Sequence, residues 1–165
     1  MTIRPLTAAD RPLLREATLA NPNWNGGSST LDNVDKTPEI SHYFANFPSS
    51  RDFGLAHQDD DAVHAVAWLV FFSAEAPGYG FINEGTPELS ITTFDGHRGQ
   101  GLGSTLLGEL IRQARSRGLT GISLSVEDGN NARHLYARAG FRVAGRNGNS
   151  DTMFFSLLPD TRSGY

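Results

Sequence analysis

Apolar residues recur along this chain with two periods, one near two and one near 3.6, and the switches between them mark out its elements. TIRPL (2–6) reads as a short strand. Thr7 and Asp10, three residues apart, form a box-like N-cap pair. A helix follows to about Asn21, with Leu13, Leu14, Ala17 and Leu19 among its apolar positions. Residues 21–37, rich in Asn, Gly and Ser, predict a long loop. Thr37–Pro38 starts a second helix, with proline at its first position, that carries EISHYFANF (39–47). DFGLAH (52–57) and AVHAVAWLVFF (62–72) predict two strands joined by the polar turn QDDD. SAEAPGYGFINEGTP (73–87) predicts a second long loop, and ELSITTF (88–94) another strand. Leu102, Leu106, Leu107, Leu110, Ile111 and Ala114 keep the helical period, and Gly118 stands just past its end. TGISLSV (120–126) alternates Ile122, Leu124 and Val126. NNARHLYARA (130–139) is a helix closed by Gly140, and FRVAG and TMFFSLL are the last strands. This order predicts an α/β (α+β) fold with one mixed central sheet in a single domain over 1–165.

Composition narrows the function classes. The 165 residues are 38% hydrophobic and 19% charged, with a net charge of −4 and no cysteine. No basic run offers a nucleic-acid surface. Thiolate chemistry and disulfides are excluded. No apolar stretch approaches the roughly 20 residues of a membrane helix. MTIRPLTAADRP has no apolar signal segment, so a cytoplasmic protein is expected, without nucleic-acid or membrane partners. His42, His57, His64, His97 and His134 form no H-x-x-x-H pattern with a carboxylate, so no metal site is expected. No G-x-S-x-G frame is present.

The candidate chemistry lies in HRGQGLGSTLL (97–107), where Gly99, Gly101 and Gly103 alternate directly before a helix. Glycine there costs conformational entropy. A helix N-terminus offers unpaired N–H groups and a positive dipole end, and glycines let a phosphate approach them. In a Walker A frame from Gly103 to Gly108, Glu109 stands where lysine is required. In a dinucleotide frame from Gly99, Ser104 stands where the third glycine is required. The R-x-x-G-x-G pattern fits at Arg98, Gly101 and Gly103. It resembles the coenzyme A signature of the GNAT superfamily of N-acetyltransferases. Asn130, Ala132, Leu135–Tyr136 and Gly140–Phe141 resemble the same family's next motif, in its order and spacing. Gly129 and Asn131 depart from the common pattern, and so do Thr92 and Thr93. The likeness extends over 62–158, which makes that stretch the cofactor-binding core. PELSI and NSDTMFF resemble an uncharacterised bacterial branch.

The resemblance implies a mixed sheet flanked by helices, with a pair of parallel strands that splay apart, here 88–94 and 120–126. It implies transfer of an acetyl group from acetyl-CoA to a primary amine in a ternary complex, with CoA as product. The cofactor would be held by Thr92, Thr93, Phe94, Arg98, Gly99, Gln100, Gly101, Leu102, Gly103, Ser104, Asn130, Ala132, Arg133 and Tyr136. Backbone N–H groups of strand 88–94 would stabilise the carbonyl oxygen. Tyr136 would act as general acid toward the leaving thiolate. Periodicity alone favours a core tyrosine on its helix, with Ala132, Leu135 and Ala139 nearby, and the resemblance reverses that preference. Glu88 would take the amine proton, with Glu84 or water as alternatives.

The acceptor side would be formed by residues 21–50, which carry Trp24, His42, Tyr43, Phe44 and Phe47. Trp24, Tyr43 and Glu84 are the candidates to contact the acceptor, a small-molecule or peptide amine. Phe44 and Phe47 are expected to pack on the sheet. A homodimer is compatible with the family. The rival readings are a non-catalytic acyl-CoA-binding sensor or scaffold and a nucleotide-binding module.

Overall fold

The computed structural model describes residues 2–20, 30–49 and 51–158. Its elements are β1 (Thr2–Pro5), α1 (Arg11–Ala20), α2 (Leu31–Lys36), α3 (Pro38–Ser41), β2 (Phe53–Asp59), β3 (Ala62–Val70), β4 (Glu88–Thr93), α4 (Leu102–Ser116), β5 (Gly121–Glu127), α5 (Ala132–Ala139), β6 (Arg142–Asn147) and β7 (Ser150–Ser156). The Thr7 hydroxyl accepts from Ala9 N–H and the Asp10 carboxylate from Thr7 N–H, closing the predicted box. Asp10 ends a 3-10 turn (Ala8–Asp10), and α1 proper begins at Arg11.

Two expectations are corrected. Leu31–Lys36 is helical rather than loop. The Thr30 hydroxyl caps it, Val34 is buried, and Asp35 pairs with Arg15 of α1. The helix from Pro38 ends at Ser41 and 42–46 continue as turns, so Tyr43 is buried from a turn and Phe47 from the residue just after it.

The seven strands form one sheet in the order β1-β2-β3-β4-β5-β7-β6. The β4–β5 pair is parallel, and the other five neighbouring pairs are antiparallel. Each face buries its own core. On one face Leu106, Leu107, Leu110 and Tyr136 of the helices pack on Leu55, Leu69, Leu89, Ile122 and Leu124. On the other, Leu14, Ala17, Val34, Phe44 and Phe47 pack on Ala56, Val66, Trp68 and Val70. Trp68 is fully buried and donates its indole N–H to the Tyr43 carbonyl at 2.9 Å, so it leaves no buried donor unpaired. Among the described residues no helix is long and apolar enough to cross a membrane.

Strand alternation then decides what each β4 and β5 residue can do. Leu89, Ile122, Leu124 and Val126 belong to the α4/α5 face. Glu88, Ser90, Thr92, Ser123, Ser125 and Glu127 therefore face the α1–α3 side.

Candidate active site

The strands β4 and β5 share a single residue pair, Glu88↔Ser123, next to a 3.0 Å bond from Ser123 N–H to the Pro87 carbonyl. Beyond it they separate. A cleft of about 880 Å3 opens between them, lined by Leu89–Thr93 on one side and Ser125–Glu127 on the other. The parting leaves main-chain groups without a strand partner. Phe94 N–H donates to the His64 carbonyl on the β3 side at 2.9 Å, and the Pro87 carbonyl points to β5. Neighbouring residues alternate sides in such a ladder. Ser90 and Thr92 thus direct their main chain at β3, whereas Leu89, Ile91 and Thr93 direct theirs toward β5. Leu89 N–H is taken by the Ser123 carbonyl in the single bridge, so the N–H groups of Ile91 and Thr93 face the open cleft, and the Thr93 carbonyl accepts from Arg98 Nε at 3.4 Å. Ile91 was missed in the sequence because only the register, counted from Pro87, singles it out.

At one end of the cleft the chain makes its glycine turn. Gly99 and Gly101 have φ of 81° and 76°, where a side chain is strained, and a Cβ on either would meet nothing within 4 Å. Space is therefore open over the backbone N–H groups that begin α4, for which Gly101 is the N-cap. Arg98 and Gly99 line the cleft. The Arg98 side chain is 63% exposed and reaches Asp95 at 3.3 Å. Leu102 is buried in the core below, so only its main chain faces the turn. Gln100 and Ser104 are exposed, and Gly103 lies inside α4. The turn and its helix N-terminus fit a pyrophosphate.

The α5 side contributes Asn130, Ala132 and Tyr136 to the lining. Asn130 Oδ1 accepts from Ala132 N–H at 2.9 Å and so fixes the start of that helix. Burial pushes the Tyr136 phenol up to about 12. Arg133 turns away, to Asp151 at 2.8 Å. Thr92 gives its hydroxyl to the Ala17 carbonyl at 3.2 Å, on the opposite side from the turn. Phe94 packs against the α1–α3 core.

Glu88 is at the other end, where the strands still touch. It is 4% exposed, and both carboxylate oxygens are held. The Tyr43 hydroxyl donates to Oε2, and Gly80 N–H donates to Oε1 at 2.9 Å. Tyr79 N–H in turn donates to the Tyr43 hydroxyl at 2.8 Å. Loss of hydration pushes the Glu88 carboxyl up to about 7, against the opposing pull of the Tyr43 and Gly80 hydrogen bonds. Burial, and the charge of Glu88, raise the Tyr43 phenol well above its ordinary value, so the shared proton stays on Tyr43. The second loop makes this possible through Gly80. A Cβ there would lie 2.5 Å from the Leu124 carbonyl carbon, so only glycine brings that N–H so close to β5.

Tyr43 therefore enters the cleft with its hydroxyl engaged by Glu88. Glu84 is elsewhere. Its carboxylate accepts from Ala74 N–H at 3.1 Å and lines a separate hollow with His42 and Arg51. Trp24 lies outside the described residues. Tyr79, Ser125, Glu127 and Asn147, which also line the cleft, carry no sequence motif that could have marked them.

A profile of the acetyltransferase (GNAT) family matches residues 21–141. The chain belongs to that family. Over 87 residues it is 38% identical to the L-methionine sulfoximine/L-methionine sulfone acetyltransferases of Pseudomonas aeruginosa and Pseudomonas paraeruginosa. That segment is 52% of this chain and 49% of theirs, so the match spans about half the length of those curated relatives. A putative acetyltransferase from Salmonella typhimurium, solved with acetyl-CoA, matches over 98% of both chains with a TM-score of 0.69 at 24% identity. The phosphinothricin acetyltransferase of Sinorhizobium meliloti, solved with the same cofactor, matches 98% of this chain and 90% of its own, with a TM-score of 0.70 at 20% identity. These two likenesses establish the fold, a GNAT sheet with its parallel β4–β5 pair.

The hydrogen bond from Tyr43 favours the ionised form of Glu88, so its removal raises that carboxyl further. Carboxyl-carbon NMR across pH is expected to give Glu88 a midpoint near 7. Tyr43→Phe is expected to move that midpoint upward.

Proposed function

We propose that the protein is an acetyl-CoA-dependent N-acetyltransferase acting on the primary amine of a small molecule. The observation that carries the reading is one cleft with a phosphate-sized turn at one end, main-chain groups without a strand partner along its wall and a buried carboxylate at the other end. Acetyl-CoA supplies the acetyl thioester. The Gly99–Gly103 backbone and Arg98 bind its pyrophosphate. The main chain of Ile91 and Thr93 pairs with the pantetheine arm, and one of these N–H groups meets the thioester oxygen as it gains charge. Such a donor is worth roughly 3–4 kcal/mol.

Glu88 takes the proton from the attacking nitrogen, directly or through one water. A carboxyl with a midpoint near 7 suits a general base at neutral pH. As the new C–N bond forms, the C–S bond breaks and its electron pair leaves with sulfur. Tyr136 donates a hydrogen bond to that sulfur. A full proton transfer from a phenol at about 12 to a thiolate whose acid has an ordinary pKa of about 8.5 runs uphill. In this reading Tyr136 therefore acts on the thiolate chiefly as a hydrogen-bond donor rather than by full proton transfer.

CoA release, followed with a thiol reagent over a panel of primary amines, tests the reading. The expected kcat/KM rises tenfold per pH unit below about 7 and levels above it. Glu88→Gln is expected to flatten that limb. A sensor would release no CoA with any amine. Tyr136→Phe removes one hydrogen bond to a charged group, worth about 1.5–3 kcal/mol. The expected kcat is therefore lower by about 10–150-fold, with acetyl-CoA binding unchanged.

A further inference from the structure

Every strand that borders the acceptor end has two faces, and their charges differ. β5 and β7 pair with Ser125↔Thr152, Val126↔Asp151 and Glu127↔Ser150, and β6 and β7 with Arg146↔Asp151 and Asn147↔Ser150. Directly paired residues share a face. Glu127, Ser125, Ser150 and Asn147 therefore stand with Glu88 on the α1–α3 side. Asp151 and Arg146 stand on the α5 side.

None of the described cations of this region reaches the acceptor end of the cleft. Arg146 is held by Asp128 and by Asp151 at 3.0 Å, and Arg133 by Asp151 at 2.8 Å. Arg142 shares the acceptor face, but it pairs with Phe154 two strands away from Glu88 and does not line the cleft. From the helical layer, Arg11 donates to the Phe47 carbonyl and Arg15 is paired with Asp35. Arg51 lies over the Phe71 ring at 4.1 Å and lines the separate hollow. Arg98 is the one cationic side chain lining the cleft among the described residues, and it belongs to the glycine turn. Residues 21–29, NPNWNGGSS, contain no charged side chain at all.

What the acceptor end does present is acid and aromatic. Glu88 and Glu127 are its charged groups. The Tyr79 ring is 47% exposed at the cleft and lies nearly parallel to Tyr43, with centroids 6.3 Å apart. An exposed ring face beside carboxylates attracts an ammonium and repels a carboxylate. A carboxylate carried next to the reacting nitrogen would enter this end of the cleft with no cationic side chain among the described lining residues to meet it, and Glu88 would oppose it. An unpaired ion there loses its hydration without compensation.

Building on the transferase reading, we infer that the acceptor is a cationic amine with no carboxylate beside its nucleophilic nitrogen. α-Amino acids, the class to which L-methionine sulfoximine belongs, are excluded by the charge of the face. The preference is set by Glu88 and Tyr79.

Matched pairs that differ only in the carboxylate isolate this claim. Calorimetric titration of the CoA-loaded protein with 1,5-diaminopentane against L-lysine, and with 1,4-diaminobutane against L-ornithine, reads binding without turnover. The expected Kd of each diamine is at least tenfold below that of its amino acid. An amino acid that binds as tightly as its diamine overturns the inference. So does a pair of which neither member binds at millimolar concentration. CoA release from acetyl-CoA with the same compounds judges the transferase reading separately. A diamine that binds yet releases no CoA contradicts that reading and upholds the charge preference.

Discussion

A parallel pair of strands joined at one residue pair is the constraint on which the site depends. β4 is committed to β3 along its length, from Glu88↔Val70 to Thr93↔Ala65. β5 is committed to β7 over seven pairs. Between them only Glu88 and Ser123 meet. Gly80 lies against the β5 backbone at Leu124 and Ser125, just past that contact. A ladder broken in this way leaves donors and acceptors that must find other partners. That requirement makes the gap a binding site for a ligand with a peptide-like arm.

The same point of contact fixes the one buried acid. Burying a carboxyl is unfavourable, and the rise from 4.5 to about 7 expresses it. The sign for stability follows from linkage. Glu88 contributes most to folding below its unfolded value, and that contribution is lost as pH rises through about 7. The fold accepts an acid that is destabilising when ionised, and supports it with Tyr43 and Gly80. Acids elsewhere on the surface behave in the opposite way. Asp128 and Asp151 are held below the usual carboxylate range by Arg146 and Arg133. Through Arg133 and Arg146 they tie the start of α5 to the β6–β7 end of the sheet.

Much of this was legible in the sequence, because periodicity reports what each element buries. Leu106, Leu107 and Leu110 point inward as their spacing requires, and Gly140 closes α5 with a φ of 114°. The glycine turn was legible because its chemistry is local. The acceptor end was not, for a physical reason. Tyr43, Tyr79, Gly80 and Glu88 come from a turn, a loop and a strand up to 45 positions apart, and their hydrogen bonds exist only once the sheet has formed. Arg133 and Glu84 show the converse. Each sits near a motif in the chain, yet its side chain is engaged by Asp151 or by Ala74 outside the cleft.

The central claim is that alternate main-chain groups of β4 face the gap left by β5 and receive acetyl-CoA. Residue-resolved amide hydrogen exchange, with and without acetyl-CoA, tests it most directly. The account predicts that Ser90 and Thr92, bonded to β3, exchange slowly in both states. It predicts that Ile91 and Thr93 exchange faster in the free protein and become protected when acetyl-CoA is added, while Leu89, whose N–H is bonded to Ser123 of β5, stays slow. Protection of Ser90 and Thr92 in place of their neighbours, or no change along β4 on saturation with acetyl-CoA, would contradict it.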